Sequence, residues 1–253
     1  MPDLTFLNVK FCLIFFRVLS ILWLIPLLSS RVVSMMFKAG FSLIVSFALF
    51  ENVPFDSAKD GSFSLMGAIF KEILLGLSIS FVVRVVFSSI SAAGEVLALQ
   101  TGLGFARYMD PTMTEQVSVI DSLKKLLGII IFFAVDAHHI LVRALFRTFE
   151  EIPLGAFAAG PKIFGFITEF SGKVFVLSLK IGAPLIVILF MVELLLGLLS
   201  RMVPQINIFI EGLPVKILIT IVILSLSLSF TIPYLGSLFL GMDRDIMRLV
   251  RMM

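Results

Sequence analysis

The sequence predicts an all-α integral membrane protein, about six apolar helices arranged as kinked hairpins in a single membrane domain over residues 1–253. Three observations carry that prediction. Of the 253 residues, 59% are hydrophobic and 15% are charged, against roughly 45–50% and about 25% in soluble domains. Mean hydropathy is +1.13. That surplus exceeds what one core can hide, because soluble cores stop growing near ~250 residues. Finally, runs near the ~17–25 residues that a spanning helix needs recur along the whole chain. They are residues 11–28, 32–50, 65–93, 126–145, 174–199 and 213–240.

The first run follows Lys10, as in a secretory signal, but Arg17 splits it and no small-x-small cleavage site follows. A retained helix is therefore expected. It holds Cys12, the only cysteine, which can build neither an internal disulfide nor a thiolate zinc site and is read as packing. The third run has no proline from Leu65 to Gln100. At ~1.5 Å per residue it is longer than a bilayer core is thick, so it should tilt or project. Pro184 and Pro233 interrupt the fifth and sixth runs. Each removes a backbone donor, which predicts a kink or a broken helix.

The connections carry the polarity. Residues 51–64 hold Asp56, Lys59 and Asp60 with Pro54 and Gly61 and read as a loop. Gly102, Gly104 and Pro111 oppose a helix across residues 101–116. Residues 148–172 are dotted with glycine and proline, and residues 201–212 join the last two runs. The tail arginines Arg244, Arg248 and Arg251 place the C-terminus on the cytoplasmic side, and the acidic loop favours the outside. Six complete spans set those two statements in conflict. Either one run does not span, or the loop breaks the rule; incomplete spanning is the more interesting reading.

Charges recur inside the apolar runs: Arg17, Lys38, Lys71, Glu72, Arg84, Asp136, Lys180 and Glu193. A charge at the bilayer centre costs ~2.5–3.5 kcal/mol on insertion scales, so these groups should face protein or water. Arg84 and Glu95 are eleven residues apart, close to three turns, and share one helix face. They are expected at a contact between helices or subunits, as is Glu193. Asp136, His139, Arg143 and Arg147 would form one polar stripe on a continuous helix. Pairing at interfaces is the plainer reading of all these charges, and a proton relay or translocation path the sharper one. His138 and His139 lack a third ligand at a helical offset from both, so no metal is expected.

Catalytic patterns are missing. The chain has no Gly-rich phosphate loop ending in Gly-Lys-Ser/Thr, no His-Glu-x-x-His and no Gly-x-Ser-x-Gly. It is read as a non-enzyme without cofactor. Its net charge of +3 is scattered, with no basic cluster interleaved with aromatics, so nucleic acid is not an expected partner.

Two motifs go further. One is Gly94-Glu95, then Leu99-Gln100-Thr101-Gly102-Leu103-Gly104-Phe105-Ala106, then Asp110-Pro111. The other is Arg201-Met202-Val203-Pro204-Gln205-Ile206-Asn207-Ile208-Phe209, then Gly212-Leu213-Pro214-Val215-Lys216. Both resemble the FliR family of flagellar export-gate proteins, whose injectisome relatives are the SctT proteins. The resemblance covers nearly the whole chain, with the Gly-x-Pro-x-Lys continuation pointing to the flagellar branch. One departure is Asp136-Ala137-His138-His139, where the family pattern is Asn/Asp-Gly-His.

The resemblance implies a subunit that joins FliP and FliQ in a helical assembly, the export gate, in the bacterial inner membrane within the flagellar basal body. It implies an FlhB-type partner and unfolded flagellar proteins as the cargo of a central pore. It also implies that not every hairpin crosses the bilayer. In the family, the segment matching residues 101–114 projects into the pore. Here Gly102 and Gly104 supply flexibility, Phe105, Tyr108 and Met109 supply bulk, and Asp110-Pro111 restarts the ordered chain. An ordinary interhelical turn is the plainer reading. Pro204, Gln205, Asn207 and Phe209 read as the turn of the last hairpin, with the amides satisfying freed backbone groups. Two other functions compete: an ion-coupled small-solute transporter, motivated by the intramembrane charges and proline-broken helices, and a purely architectural scaffold.

Overall fold

A computed structural model of the chain describes residues 4–24, 33–54, 65–103, 118–203 and 208–253. Among these residues there are helices and no strands. The helices are α1 (Leu4–Leu24), α2 (Met35–Leu49), α3 (Leu65–Thr101), α4 (Val119–Ala134), α5 (Ala137–Glu151), α6 (Pro161–Met202) and α7 (Ile208–Val250). The all-α membrane architecture is as expected. Seven helices are described where six apolar runs were expected, because the fourth run spans two helices, α4 and α5, bent by 66° at their junction.

That break needs no proline or glycine. Asp136 sits in the left-handed region at φ 55° and ψ 28° as the N-cap of α5. Aspartate tolerates this conformation better than most L-residues do. The break places the first member of the expected stripe at the helix cap. Asp136 caps α5, while His139, Arg143 and Arg147 continue along it at spacings of four. Asp136→Asn is expected to leave stability within ~0.5 kcal/mol. Asp136→Val should lower it by ~1–2 kcal/mol, because a β-branched residue is excluded from this region. Thermal unfolding in detergent reads both, and equal melting of the two variants would refute a backbone cause.

By length and composition, α3, α6 and residues Glu211–Val250 of α7 can cross a membrane, and the α4–α5 pair is a candidate broken span. The 15 residues of α2 rise only ~22 Å against a hydrocarbon core of ~30 Å. Neither Pro184 nor Pro233 ends its helix; both lie inside single helices, as does Pro214.

The chain divides into two compact units. Unit 1 comprises Met1–Val85, Asp136–Ser171 and Leu240–Met253. In it α1 packs on α2, with Lys10 Nζ 4.6 Å above the Phe50 ring. Its core includes Ile14, Val18, Leu75, Ile79, Ala144 and Leu249, all essentially inaccessible. Cys12 is half-buried with a free thiol. Unit 2 comprises Val86–Val135 and Gly172–Phe239. Its core holds a three-ring cluster, Phe87, Phe132 and Phe239, with centroids 5.4–5.7 Å apart, and an aliphatic group of Leu97, Ile120, Leu185 and Leu189.

Burial is uneven. The most apolar window of α3 is 61% buried within the chain, against 22% in α6 and 17% in α7. Phe175, Phe190, Leu195, Leu198, Leu218 and Leu226 are all exposed. Apolar surface on this scale requires a cover of lipid or other helices.

Candidate functional site

The buried charges organise unit 1. Arg17 of α1 and Glu72 of α3 are both fully inaccessible and pair directly, Arg17 Nε to Glu72 Oε2 and Nη2 to Oε1 at 2.9 Å. The remaining guanidinium hydrogens go to carbonyls at the end of α5: Nη1 donates to Thr148 O at 3.0 Å and Ile152 O at 3.1 Å, Nη2 to Pro153 O at 3.4 Å. Glu72 Oε1 accepts a further bond from the Gly155 amide at 2.7 Å. Lys71 Nζ donates to Gly155 O at 3.2 Å, and the Arg17 guanidinium lies 4.5 Å over the Phe149 ring. One ion pair thus ties α1, α3 and the chain leaving α5. A fork-shaped guanidinium suits this, because its planar donors can serve a carboxylate and carbonyls at once. Gly155 turns that chain at φ 77°, a conformation open to glycine. Gly76 lets α1 and α3 approach closely, since a Cβ there would stand 2.9 Å from Arg17 O.

In unit 2 the ends of α3 and α4 are held by small residues and one carboxylate. A Cβ on Gly94 would lie 2.6 Å from Asp121 Cα, so α4 rests directly on the α3 backbone. Asp121 accepts from Ser91 Oγ at 3.0 Å and from Lys125 Nζ at 2.7 Å. Gly102, just past α3, has φ 82°, and a Cβ there would meet Leu213 Cδ1 at 2.5 Å. Lys216 Nζ bridges α7 to Glu193 of α6 at 3.0 Å.

The remaining sequence-predicted residues fall as follows. Arg84 and Glu95 are both exposed on α3, and Arg143 is exposed on α5. His139 Nδ1 stands 3.4 Å from Asp136 Oδ1, and His138 Nε2 stands 4.0 Å from the same oxygen. The break thus supplies the third ligand type that a continuous helix lacked: one atom from each of Asp136, His138 and His139 lies within 4.8 Å of the others. Zinc bonds of ~2.0–2.1 Å would set tetrahedral donors about 3.4 Å apart. The 4.0 Å gap is wider, so the trio is no ready-made metal cage. Gly212 is buried and Pro214 exposed, both in α7, which also contains Phe209. Gly104, Phe105, Tyr108, Met109, Asp110, Pro111, Pro204, Gln205 and Asn207 lie outside the described residues, as does the Phe209 side chain. Sequence reasoning flagged Arg17 and Glu72 separately and missed their pairing. Fifty-five residues separate them, and no local spacing reports such a contact.

Comparison with known proteins agrees with these features. The pattern of the bacterial export proteins, family 1, matches residues 8–242. A protein from Escherichia coli (strain K12), "Flagellar biosynthetic protein FliR", is 30% identical over 88% of this chain and 85% of its own length. Its namesake from Aquifex aeolicus (strain VF5) is 31% identical over 85% of this chain and 83% of its own. That from Bacillus subtilis (strain 168) is 28% identical over 87% and 86%. With the match running through both units and all seven described helices, the chain belongs to the bacterial export proteins, family 1.

Proposed function

We infer that the chain is a membrane subunit of the flagellar type III protein-export apparatus, that it helps to form and gate the channel for unfolded flagellar proteins, and that it catalyses no reaction. The observation that carries this reading is the near full-length correspondence with FliR proteins from distant bacteria. The uncovered apolar faces of α6 and α7 fit a membrane subunit, since lipid or other helices must cover them. FliP-, FliQ- and FlhB-type subunits are the proposed cover, in the inner membrane within the basal body. Exposed Arg84, Glu95 and Arg143 are proposed contacts to those subunits. The ion-coupled transporter is not favoured by the family assignment. Native mass spectrometry of the detergent-extracted complex tests the reading. Recovery as a lone monomer under mild extraction would argue against it.

Within this function, residues 102–111 are proposed to plug the resting pore. The positive φ of Gly102 supports a backbone that larger residues cannot follow. Deleting residues 105–109 is expected to leave the complex assembled while the membrane leaks small ions. Replacing Gly102 and Gly104 by valine should keep the seal and lower export. Membrane conductance and secreted flagellin, measured in the same strains, decide the matter. An assembled deletion strain that stays ion-tight and exports normally makes this segment a plain connection.

A further inference from the structure

We propose that a recess at the C-terminal ends of α5 and α7, within unit 1, binds the phosphate headgroup of an anionic phospholipid. The recess has a volume of about 480 Å³ and is lined by four arginines, Arg147, Arg244, Arg248 and Arg251, against one carboxylate, Asp243. Arg244 and Arg248 lie on the last turns of α7 and Arg251 in the turn just past it, at i, i+4 and i+7, with the Arg251 amide still bonded to Met247 O. Arg248 is already engaged: it lies 3.6 Å from Glu169 and 5.8 Å over the Phe166 ring. Arg147, Arg244 and Arg251 have no ion pair among the described residues, and all three are exposed.

Three guanidiniums converging on one recess outnumber its single carboxylate and form a site for an oxyanion, which they can grip through paired donors. A second recess, of about 250 Å³, uses Arg147 and Arg251 with Glu150 and Glu151 and is balanced in charge. Arg147 and Arg251 line both, so the two recesses together hold four arginines against Asp243, Glu150 and Glu151. The surroundings select a lipid as the bearer of the phosphate. On α5, exposed Val142 and Phe146 precede Arg147, and on α7 exposed Leu240 precedes Arg244. α7 passes from apolar to basic toward its C-terminal end, with Arg248 in its last turn, while α5 ends in Glu150 and Glu151 just past Arg147. The ordering along α7 lets an acyl chain lie along the apolar turns while its headgroup meets the arginines, as at a membrane–water boundary.

The test is native mass spectrometry of the detergent-extracted assembly, supplied with equal amounts of phosphatidylglycerol and phosphatidylcholine. The intact protein should retain phosphatidylglycerol selectively. The variant Arg147→Gln/Arg251→Gln should retain about tenfold less. Arg244→Gln alone should show a smaller loss in the same direction. A parallel sample with inorganic phosphate separates the sources: persistence of the lipid adduct supports a lipid site. Occupancy by phosphate without preference between the two lipids overturns it. So does equal phosphatidylglycerol retention by wild type and double variant. Loss of a protein subunit from the variant with lipid adducts unchanged also overturns it, and assigns the recess to an acidic protein partner.

Discussion

Glu72→Ala is expected to destabilise the chain by about 3–5 kcal/mol, because it strands the Arg17 guanidinium in a site without water. Arg17 and Glu72 are both completely inaccessible. The loss would also free the Gly155 amide, which donates to Glu72. Replacing both residues with apolar side chains, as in Arg17→Met/Glu72→Leu, should recover much of that loss, since no buried charge then remains. Recovery should be incomplete. The Ile152 and Pro153 carbonyls would lose their bonds from Arg17, while Thr148 O would keep the one from the Ile152 amide. The measurements are thermal unfolding in detergent and the amount of intact chain in membranes. A single variant that melts no lower than the double would show that the charge is not confined as described.

The expected location of the damage is specific. Arg17 touches the end of α5 and the residues just beyond it, and Lys71 reinforces the same turn through Gly155 O. Proteolysis of the Glu72→Ala chain should therefore begin near residues 152–156, where the backbone loses its side-chain bonds. General fraying of α1 with an intact turn at Gly155 would point to a packing defect instead.

What the sequence made legible follows from the range of each interaction. Long apolar runs are a local signal, and α1, α2, α3, α6 and α7 all lie where such runs are found. The Asp136 break was not legible. Its neighbours are apolar or helix-compatible, and Ala137 stands where the family pattern has glycine, so no residue there announces a turn. Of the kink or break expected at Pro184 and Pro233, the break does not occur. Loss of one donor leaves the other backbone bonds of the helix in place, and α6 and α7 run on through them. Arg17 and Glu72 were legible as residues that could not face lipid. Their pairing was not, because it is fixed by how three separate segments pack. Among the expected contact charges, His139 found Asp136 and Glu193 found Lys216. The first was readable from spacing, the second was not.

The motif glycine at position 94 leads to the other large effect. Gly94→Val is expected to pry α4 from α3, because the added atoms would strike Asp121 backbone rather than a movable side chain. A Cβ at 94 would stand 2.6 Å from Asp121 Cα and 3.2 Å from its nitrogen. Relief requires moving a helix axis, which also stretches the 3.0 Å bond from Ser91 Oγ to Asp121. Overpacking of this kind costs typically ~1–3 kcal/mol, and a backbone collision belongs at the upper end. Gly128 provides the control on the same helix pair. A Cβ there would meet Ile90 Cδ1 at 2.9 Å, the far end of a flexible side chain. Gly128→Ala should therefore cost less than ~1 kcal/mol, with Ile90 changing rotamer. Valine adds two more carbons than alanine, but the first added atom already separates the sites: at 94 it strikes backbone, at 128 the end of a side chain. Gly94 and Asp121 lie on the helices that lead into and out of residues 104–117. Under the proposed function, Gly94→Val should thus reduce flagellin secretion as well as melting temperature, while Gly128→Ala should leave secretion near normal. Equal melting and equal secretion in the two variants would show that the α3–α4 contact yields without cost, and would remove Gly94 from the parts that position the segment between them.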